Sequence, residues 1–170
     1  MAVYNFVGKA DLYCKQSLSE ILFEENKRIS CGLFLIGKPT KTKLDNLRSV
    51  VEFMQKVYGV KRFYIESTYC KSEFTSIIYE VVKNAYIVVV THFDEQRKSL
   101  AENYIELGDE LVNFSAAVVG ERLKKQNMAR EMMKICRFCV TDLSESNPLS
   151  GYLKRYAENT KGVKIINIGK

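Results

Sequence analysis

Short apolar runs alternate along this chain with segments in which apolar residues recur every three or four positions. Such a run is too short for a helix and suits a strand, whereas the recurrence is typical of an amphipathic helix. The candidate strands cover residues 2–7, 31–36, 61–66, 85–90, 110–114, 136–141 and 163–168. Strands that alternate with helices favour βαβ units, so we predict an α/β three-layer sandwich with a mainly parallel sheet of five to six strands.

The helical segments carry start and stop signals. Ser72 suits an N-cap, Gly59 suits the position after a helix end, and Pro148 suits the first position of a helix capped by Asn147 and stopped by Gly162. The predicted helices cover residues 16–27, 44–58, 96–107 and 116–135, with two more that begin after Ser72 and Asn147.

Composition indicates one globular domain over residues 1–170. Hydrophobic residues make up 46% and charged residues 27% of the chain, and Pro39 and Pro148 are its only prolines, so we see no linker. No apolar stretch approaches the roughly 20 residues of a membrane helix, and the start of the chain lacks the layout of a secretory signal. We therefore expect a cytoplasmic protein with no membrane partner.

The net charge of +6 suits a phosphorylated ligand, but the 26 basic residues are spread among 20 acidic ones. A nucleic-acid footprint should be clustered, so nucleic acid is an open but less favoured partner.

The cysteines are odd in number and scattered, which favours free thiols. They are Cys14, Cys31, Cys70, Cys136 and Cys139. Cys136 and Cys139 resemble half a zinc site, but within a strand residues three apart point to opposite faces. With His92 as the only histidine, we expect no metal site.

In an open parallel sheet, ligands bind beyond the carboxyl ends of the strands. The residues expected there are glycines, hydroxyls and polar or charged side chains in three loops and on the long helix. They are Gly8, Lys9, Asp11, Gly37, Lys38, Thr40, Asn127, Arg130, Ser146, Ser150 and Gly151. Glycine lets the backbone approach a ligand, helix N-termini attract anions, and arginine can grip phosphate or carboxylate with two hydrogen bonds.

Two common nucleotide motifs are absent. Lys38 and Thr40 are separated by a proline and lack the upstream glycine of a phosphate loop, so we exclude an NTPase of that kind. No Gly-x-Gly-x-x-Gly follows a strand, and we expect no cofactor.

The order of short motifs resembles the Rossmann-like SLOG superfamily across nearly the whole chain. The motifs are residues 6–11, 34–37, 56–59, 126–127, 136–141, 150–151, 156–157 and 164–168, together with Arg130. The superfamily includes the Lonely Guy phosphoribohydrolases, the DNA-processing protein of natural transformation and small single-domain bacterial members. The resemblance implies a bacterial or phage protein that binds, and senses, a nucleotide-derived ligand.

The chain departs from that pattern where catalysis would need it. The phosphoribohydrolases carry a Pro-Gly-Gly-x-Gly-Thr-x-x-Glu run, and residues 150–154 here lack its carboxylate. Cleavage of an N-glycosidic bond needs such a group. The resemblance therefore implies binding without strong catalysis.

Two alternatives stay open. One is an N-glycosidic hydrolase or transferase acting on a nucleoside or nucleotide, with Asp11, Asp45 or Glu145 as the carboxylate. The other is a nucleic-acid or protein interaction module. A homo-oligomer that associates through an exposed helix is compatible with each reading.

Overall fold

The computed structural model of the protein describes residues 9–91, 108–114, 121–144, 148–160 and 162–169. The predicted strand over residues 2–7, the predicted helix over residues 96–107 and the predicted cap Asn147 lie outside the described residues.

Six parallel strands form one sheet in the described part of the chain. They are β1 (Ser30–Leu33), β2 (Arg62–Glu66), β3 (Tyr86–Thr91), β4 (Glu110–Asn113), β5 (Phe138–Thr141) and β6 (Lys164–Asn167). Their order across the sheet is β4-β3-β2-β1-β5-β6. This arrangement confirms the predicted α/β, Rossmann-like fold with a parallel sheet.

Five α-helices in the described residues accompany the sheet. They are α1 (Lys9–Arg28), α2 (Lys41–Tyr58), α3 (Glu73–Val81), α4 (Glu121–Ile135) and α5 (Pro148–Asn159). Gly59 ends α2 with a left-handed φ of 67°, as predicted. Ser72 precedes α3, but its hydroxyl donates to Tyr69 O and does not cap the helix. None of the described helices is long and apolar enough to cross a membrane.

Each face of the sheet packs against its own helices. On one face, Leu47, Val51 and Met54 of α2 and apolar residues of α3 cover Leu33, Ile65 and other strand residues. On the other face, the core contains methionines of α4, Leu153 of α5 and alternate residues of the strands. Strands buried on both sides explain why the runs in the sequence are almost continuously apolar.

β1 and the start of α1 differ from their predictions. β1 ends at Leu33, three residues early, because Leu35 takes a left-handed φ of 52° and its N–H donates to a side chain of β2. Lys9 and Asp11, predicted in a loop, belong to α1. The helix extends that far because residues 9–28 contain neither glycine nor proline.

Candidate functional site

The order of the strands reverses between β1 and β5. The chain builds β1 to β4 in one direction, and α4 then returns it to β5 on the other side of β1. In parallel α/β sheets the crevice beyond the carboxyl ends at such a point is the usual ligand site. The residues that follow β1 and β5 therefore form the candidate ligand site.

A buried ion pair joins these two strand ends. Lys43 begins the buried stripe of α2, and its Nζ lies 2.6 Å from Asp142 Oδ2, one residue beyond β5. Only 9% of the Lys43 side chain and 5% of the Asp142 side chain are exposed. Lys43 Nζ also donates to Ile36 O (2.8 Å) and Lys38 O (3.3 Å). All three ammonium protons have partners, and the loop after β1 is pinned to the end of β5.

Asp142 is held by further hydrogen bonds. Its Oδ1 accepts from both the N–H (2.8 Å) and the hydroxyl of Ser144. Burial acts to raise the pKa of Asp142, but the hydrogen bonds from Lys43 and Ser144 outweigh it and hold that pKa below its ordinary value. The carboxylate is thus stabilised in its charged form. Gly169 packs so closely against it that any Cβ there would overlap Oδ1.

Glu66, the last residue of β2, is a second buried carboxyl group at this edge. It is 5% exposed, and its Oε1 accepts from Leu35 N–H at 2.8 Å. Glu66 is in register with Val90, which belongs to the core beneath α4, so the carboxyl group faces that layer. Burial raises its pKa, against the opposing effects of the Leu35 N–H and the charge of Lys125 on α4.

The predicted residues after β1 lie in this loop, but the structure gives them backbone and capping roles. Gly37 has a φ of 66°, and its N–H donates to the Tyr69 hydroxyl. Thr40 caps α2 by accepting from Lys43 N. The Lys38 side chain is exposed, while its carbonyl accepts from Lys43. Of the three, Lys38 alone presents a side chain that could bind a ligand and that forms no hydrogen bond or ion pair with the described residues.

The predicted residues of α4 form a separate pair. Arg130 Nη2 donates to Asn127 Oδ1 at 2.7 Å, and Asn127 Nδ2 donates to Phe114 O, immediately beyond β4. The Arg130 side chain is 45% exposed. β4 and β1 are three strands apart, about 14 Å at the usual strand spacing. Arg130, through Asn127, and Lys38 are therefore associated with the carboxyl ends of strands that are three positions apart in the sheet.

The remaining predicted residues have less definite positions. Ser150 and Gly151 lie in the first turn of α5, and Gly151 is exposed. Gly8, Ser146 and Glu145 lie outside the described residues. The side chains of Lys9 and Asp11 are likewise not described.

No protein-family model, curated protein or solved structure matches this chain. The resemblance to the SLOG superfamily therefore stays a prediction that depends on short motifs, while the fold itself is observed.

Sequence reasoning missed Lys43, Glu66 and Asp142, although each left a signal. Lys43 lies four residues before Leu47, on the same stripe of α2 that is otherwise apolar. Glu66 ends the predicted third strand, and Asp142 directly follows another. Charged residues at the carboxyl ends of buried strands therefore indicate a candidate site as well as glycines do.

A groove of about 590 Å³ lies between the first half of α2 and α3, and it is less suited to an anion. Its charged lining consists of Lys41, Asp45, Arg48, Glu73 and Glu80, so carboxylates outnumber cations. Arg48 and Glu80 also neutralise each other at 2.7 Å. Asp45, one of the carboxylates proposed for catalysis, is exposed in this groove, which the predicted site residue Thr40 also lines.

The described cysteines are buried free thiols. Burial raises the pKa of Cys70 to about 12 and also raises that of Cys31 and Cys136, so these thiols are poor nucleophiles. Cys136 and Cys139 belong to the same core cluster, so the prediction that they face opposite ways is wrong. β5 begins only at Phe138, and Cys136 is not in the strand. The described residues contain no group of three or more potential metal ligands, and His92 lies outside them.

Proposed function

We propose that this protein binds a nucleotide-derived or other phosphorylated small molecule at the carboxyl ends of its strands, without strong catalysis. The observation that carries the proposal is the convergence of Lys43, Glu66 and Asp142 on the loop after β1. Burying ionisable groups is unfavourable for stability unless their partners compensate. These three groups lie where the strand order reverses and hold the loop after β1 in one conformation. A ligand site requires such a preorganised loop.

The spacing of the exposed cations favours an elongated ligand. Lys38 lies beyond β1, and Asn127 links Arg130 to the end of β4; these two strands are about 14 Å apart at the usual strand spacing. One Arg130 nitrogen is bound to Asn127 and Nε lies 4.0 Å from Glu131 Oε1, which orients the guanidinium and leaves Nη1 for a phosphate. A nucleotide, with phosphate and base at opposite ends, fits such a separation better than inorganic phosphate does.

Membership of the SLOG superfamily is part of this proposal. The motif positions Gly37, Asn127 and Arg130 all lie towards the carboxyl edge, where that superfamily is expected to bind its ligands. Few of the family's glycines are present, and the loop is shaped instead by the Lys43 ammonium group and the Glu66 carboxyl group.

Native mass spectrometry of protein purified from cells, before and after mild denaturation, tests the proposal. We expect an added mass that denaturation releases and that ultraviolet absorption identifies as a nucleotide derivative. An unmodified mass, followed by no thermal stabilisation with a broad panel of mononucleotides, dinucleotides and cyclic nucleotides, would count against a nucleotide ligand.

A second candidate function is cleavage of an N-glycosidic bond, which the position of Glu66 favours. A buried carboxyl group with a raised pKa at the carboxyl end of a strand has the properties of a general acid or base. Release of free base from nucleoside monophosphates by the wild type, and not by Glu66→Gln, would support this function. If both proteins release no base, the simple binding function is favoured.

A further inference from the structure

Lys125 lies on the face of α4 that packs on the sheet. Met128, Ala129 and Met132 belong to the core beneath this helix, and Lys125 precedes them by three, four and seven positions. Residues at these spacings share one side of a helix. Because α4 ends just before the amino end of β5, its first turns lie towards the carboxyl ends of the strands. Lys125 therefore faces the sheet near the carboxyl edge.

The Lys125 ammonium group has no partner in the described part of the chain. Its side chain is half buried and forms no hydrogen bond and no ion pair with any described residue. Lys43, by contrast, has three partners for its ammonium group. Removing a charged group from water is unfavourable unless a partner compensates. A ligand that brings a hydrogen-bond acceptor would supply that partner to Lys125.

Glu66 presents a free acceptor to the same layer. Its Oε1 accepts from Leu35 N–H at 2.8 Å, whereas Oε2 has no hydrogen bond to a described residue. Every fully buried side-chain nitrogen or oxygen of the described residues does have a hydrogen-bond partner. Oε2 is therefore open to the crevice, although Glu66 as a whole is only 5% exposed. A ligand in the crevice can reach this oxygen.

Lys125 and Glu66 influence each other without being in contact. Burial raises the pKa of Glu66, and the charge of Lys125 opposes that rise. No ion pair joins the two side chains, so their charged ends are separated. We call the space between the ammonium group and Oε2 the Glu66–Lys125 gap. It has a hydrogen-bond donor on one side and an acceptor on the other.

The chemistry of the gap suits a nucleobase better than a phosphate. A phosphate placed there would bring its negative charges beside the Glu66 carboxylate, and like charges disfavour each other. A base carries no net charge, and its hydrogen-bonding edge presents an N–H donor next to an oxygen or nitrogen acceptor. Such an edge can satisfy Glu66 and Lys125 at the same time.

We propose that the Glu66–Lys125 gap receives the base of the bound nucleotide. Glu66 Oε2 accepts a hydrogen bond from an N–H of the base, and the Lys125 ammonium group donates to the acceptor beside it. The phosphate then lies outside the gap, among exposed cations of the carboxyl edge such as Lys38. This inference rests on the nucleotide binding proposed above and adds the orientation of the ligand.

Titration calorimetry of the full chain with AMP, GMP, CMP, UMP and ribose 5-phosphate tests the orientation. Lys125→Met and Glu66→Gln should each raise the dissociation constant of the best-bound nucleoside monophosphate by about tenfold or more, the usual loss for a hydrogen bond to a charged group. Neither variant should change that of ribose 5-phosphate, which has no base.

Glu66→Gln should also change the order of preference among the four bases. Glutamine can keep its oxygen on Leu35 N–H, which leaves an NH₂ group where Oε2 was. An acceptor in the gap thus becomes a donor, while the loop keeps its hydrogen bond. A purely structural role of Glu66 would alter all four affinities alike and leave their order unchanged.

Lys124→Met is the matched control. Lys124 is also half buried and forms no hydrogen bond or ion pair with a described residue, but it lies about 100° around α4 from Lys125. It should bind every probe as the wild type does. Circular dichroism verifies that each variant is folded.

The outcomes separate this inference from the proposed function. Equal weakening of ribose 5-phosphate and of the nucleotides by Lys125→Met would show that Lys125 binds phosphate, and would overturn the orientation. Nucleotide binding that survives unchanged in both folded variants would remove the Glu66–Lys125 gap from the site and leave the proposed function intact. A wild type that binds none of the probes would overturn both.

Discussion

Lys43 and Asp142 form a 2.6 Å ion pair across the point where the strand order reverses, and both side chains are at least nine-tenths buried. The pair connects the first turn of α2 to the residue after β5. Since Lys43 Nζ also holds two carbonyls of the loop after β1, removing either charge disturbs both strand ends at once.

Asp142→Asn should lower the free energy of unfolding by about 3–5 kcal/mol, because it leaves the Lys43 ammonium group buried without a counter-charge. Lys43→Met combined with Asp142→Leu should recover most of that loss, since no charge is then left unpaired. Urea denaturation of the wild type, Lys43→Met, Asp142→Leu and the variant with both substitutions measures the coupling between the residues.

Arg48→Ala is the matched control, because Arg48 and Glu80 also pair at 2.7 Å but are 44% and 59% exposed. It should change the free energy of unfolding by about 1 kcal/mol or less. Equal losses in the buried and the exposed pair would show that Lys43 and Asp142 do not hold the strand ends.

Glu66→Gln should stabilise the protein at neutral pH. Burial raises the pKa of Glu66, so the protonated carboxyl group stabilises the folded protein relative to the unfolded chain. This stabilisation is fully present below the ordinary pKa of 4.5 and is lost as the pH rises through the raised pKa. Glutamine keeps an oxygen for Leu35 N–H and cannot ionise. The advantage of the variant should therefore shrink as the pH falls towards 4.5, which thermal melts over a pH series measure.

Asp142 should respond to pH in the opposite sense. Its pKa is lowered, so its contribution to stability is present above the ordinary value of 3.8 and is lost as the pH falls through the lowered pKa.

Glu80→Gln, at an exposed carboxyl group, serves as the control for Glu66→Gln. A Glu66→Gln variant less stable than the wild type at neutral pH would mean that the ionised carboxylate is required by the loop.

The fold was predictable because local signals agreed with it. Runs of β-branched residues such as those of β3 favour buried strands, and Gly59 and Pro148 mark a helix end and a helix start. The early end of β1 was not predictable from residues 31–36. It depends on the contact between Leu35 N–H and Glu66, which the sequence separates by thirty-one positions.

The site was predictable in its location and less so in its chemistry. The loop with Gly37 and Thr40 does lie at the carboxyl edge, but Thr40 caps a helix and the buried charge comes from Lys43. A lysine in an amphipathic helix is usually a solvated residue. Its burial here follows from the ion pair with Asp142, and no local pattern reveals a partner so far along the chain.

Gly32→Ala should destabilise the protein by about 1–3 kcal/mol through overpacking. A Cβ on Gly32 would lie 3.0 Å from Met132 Cε and 3.4 to 3.5 Å from the sulfurs of Cys136 and Cys139. Met132→Leu should partly relieve the loss, because it withdraws the flexible end of the side chain. Thermal denaturation of the single and double variants measures both effects.

Gly151→Ala provides the opposite case. Gly151 is exposed in α5, and a Cβ at this position would have only Arg155 Nη1 nearby, at 3.9 Å. Alanine should stabilise the helix by about 0.5–1 kcal/mol. If Gly32→Ala were as well tolerated, the contact between α4 and the sheet would be looser than the structure indicates.

Arg130→Ala should weaken binding of the nucleotide-type ligand by about 1.5–3 kcal/mol, the usual contribution of a hydrogen bond to a charged group. Asn127 orients the Arg130 guanidinium and is itself anchored to Phe114 O at the end of β4, so the donors are held near the strand ends before a ligand arrives. Isothermal titration calorimetry with the ligand identified by mass spectrometry measures the loss. Asn127→Ala should cause a smaller loss, because it frees the arginine without removing its charge.

Lys134→Ala is the control that distinguishes a direct contact between Arg130 and the ligand from a general effect of positive charge. Lys134 lies one turn further along α4, is 51% exposed, and pairs with Glu131 at 3.2 Å. Lys134 lies towards the amino end of the sheet, where α4 ends. Lys134→Ala should therefore leave the dissociation constant of the ligand within about twofold of the wild-type value, even though it changes the net charge by as much as Arg130→Ala does. Equal weakening by Arg130→Ala and Lys134→Ala would mean that the ligand responds to overall charge, and Arg130 would then have no place in the site.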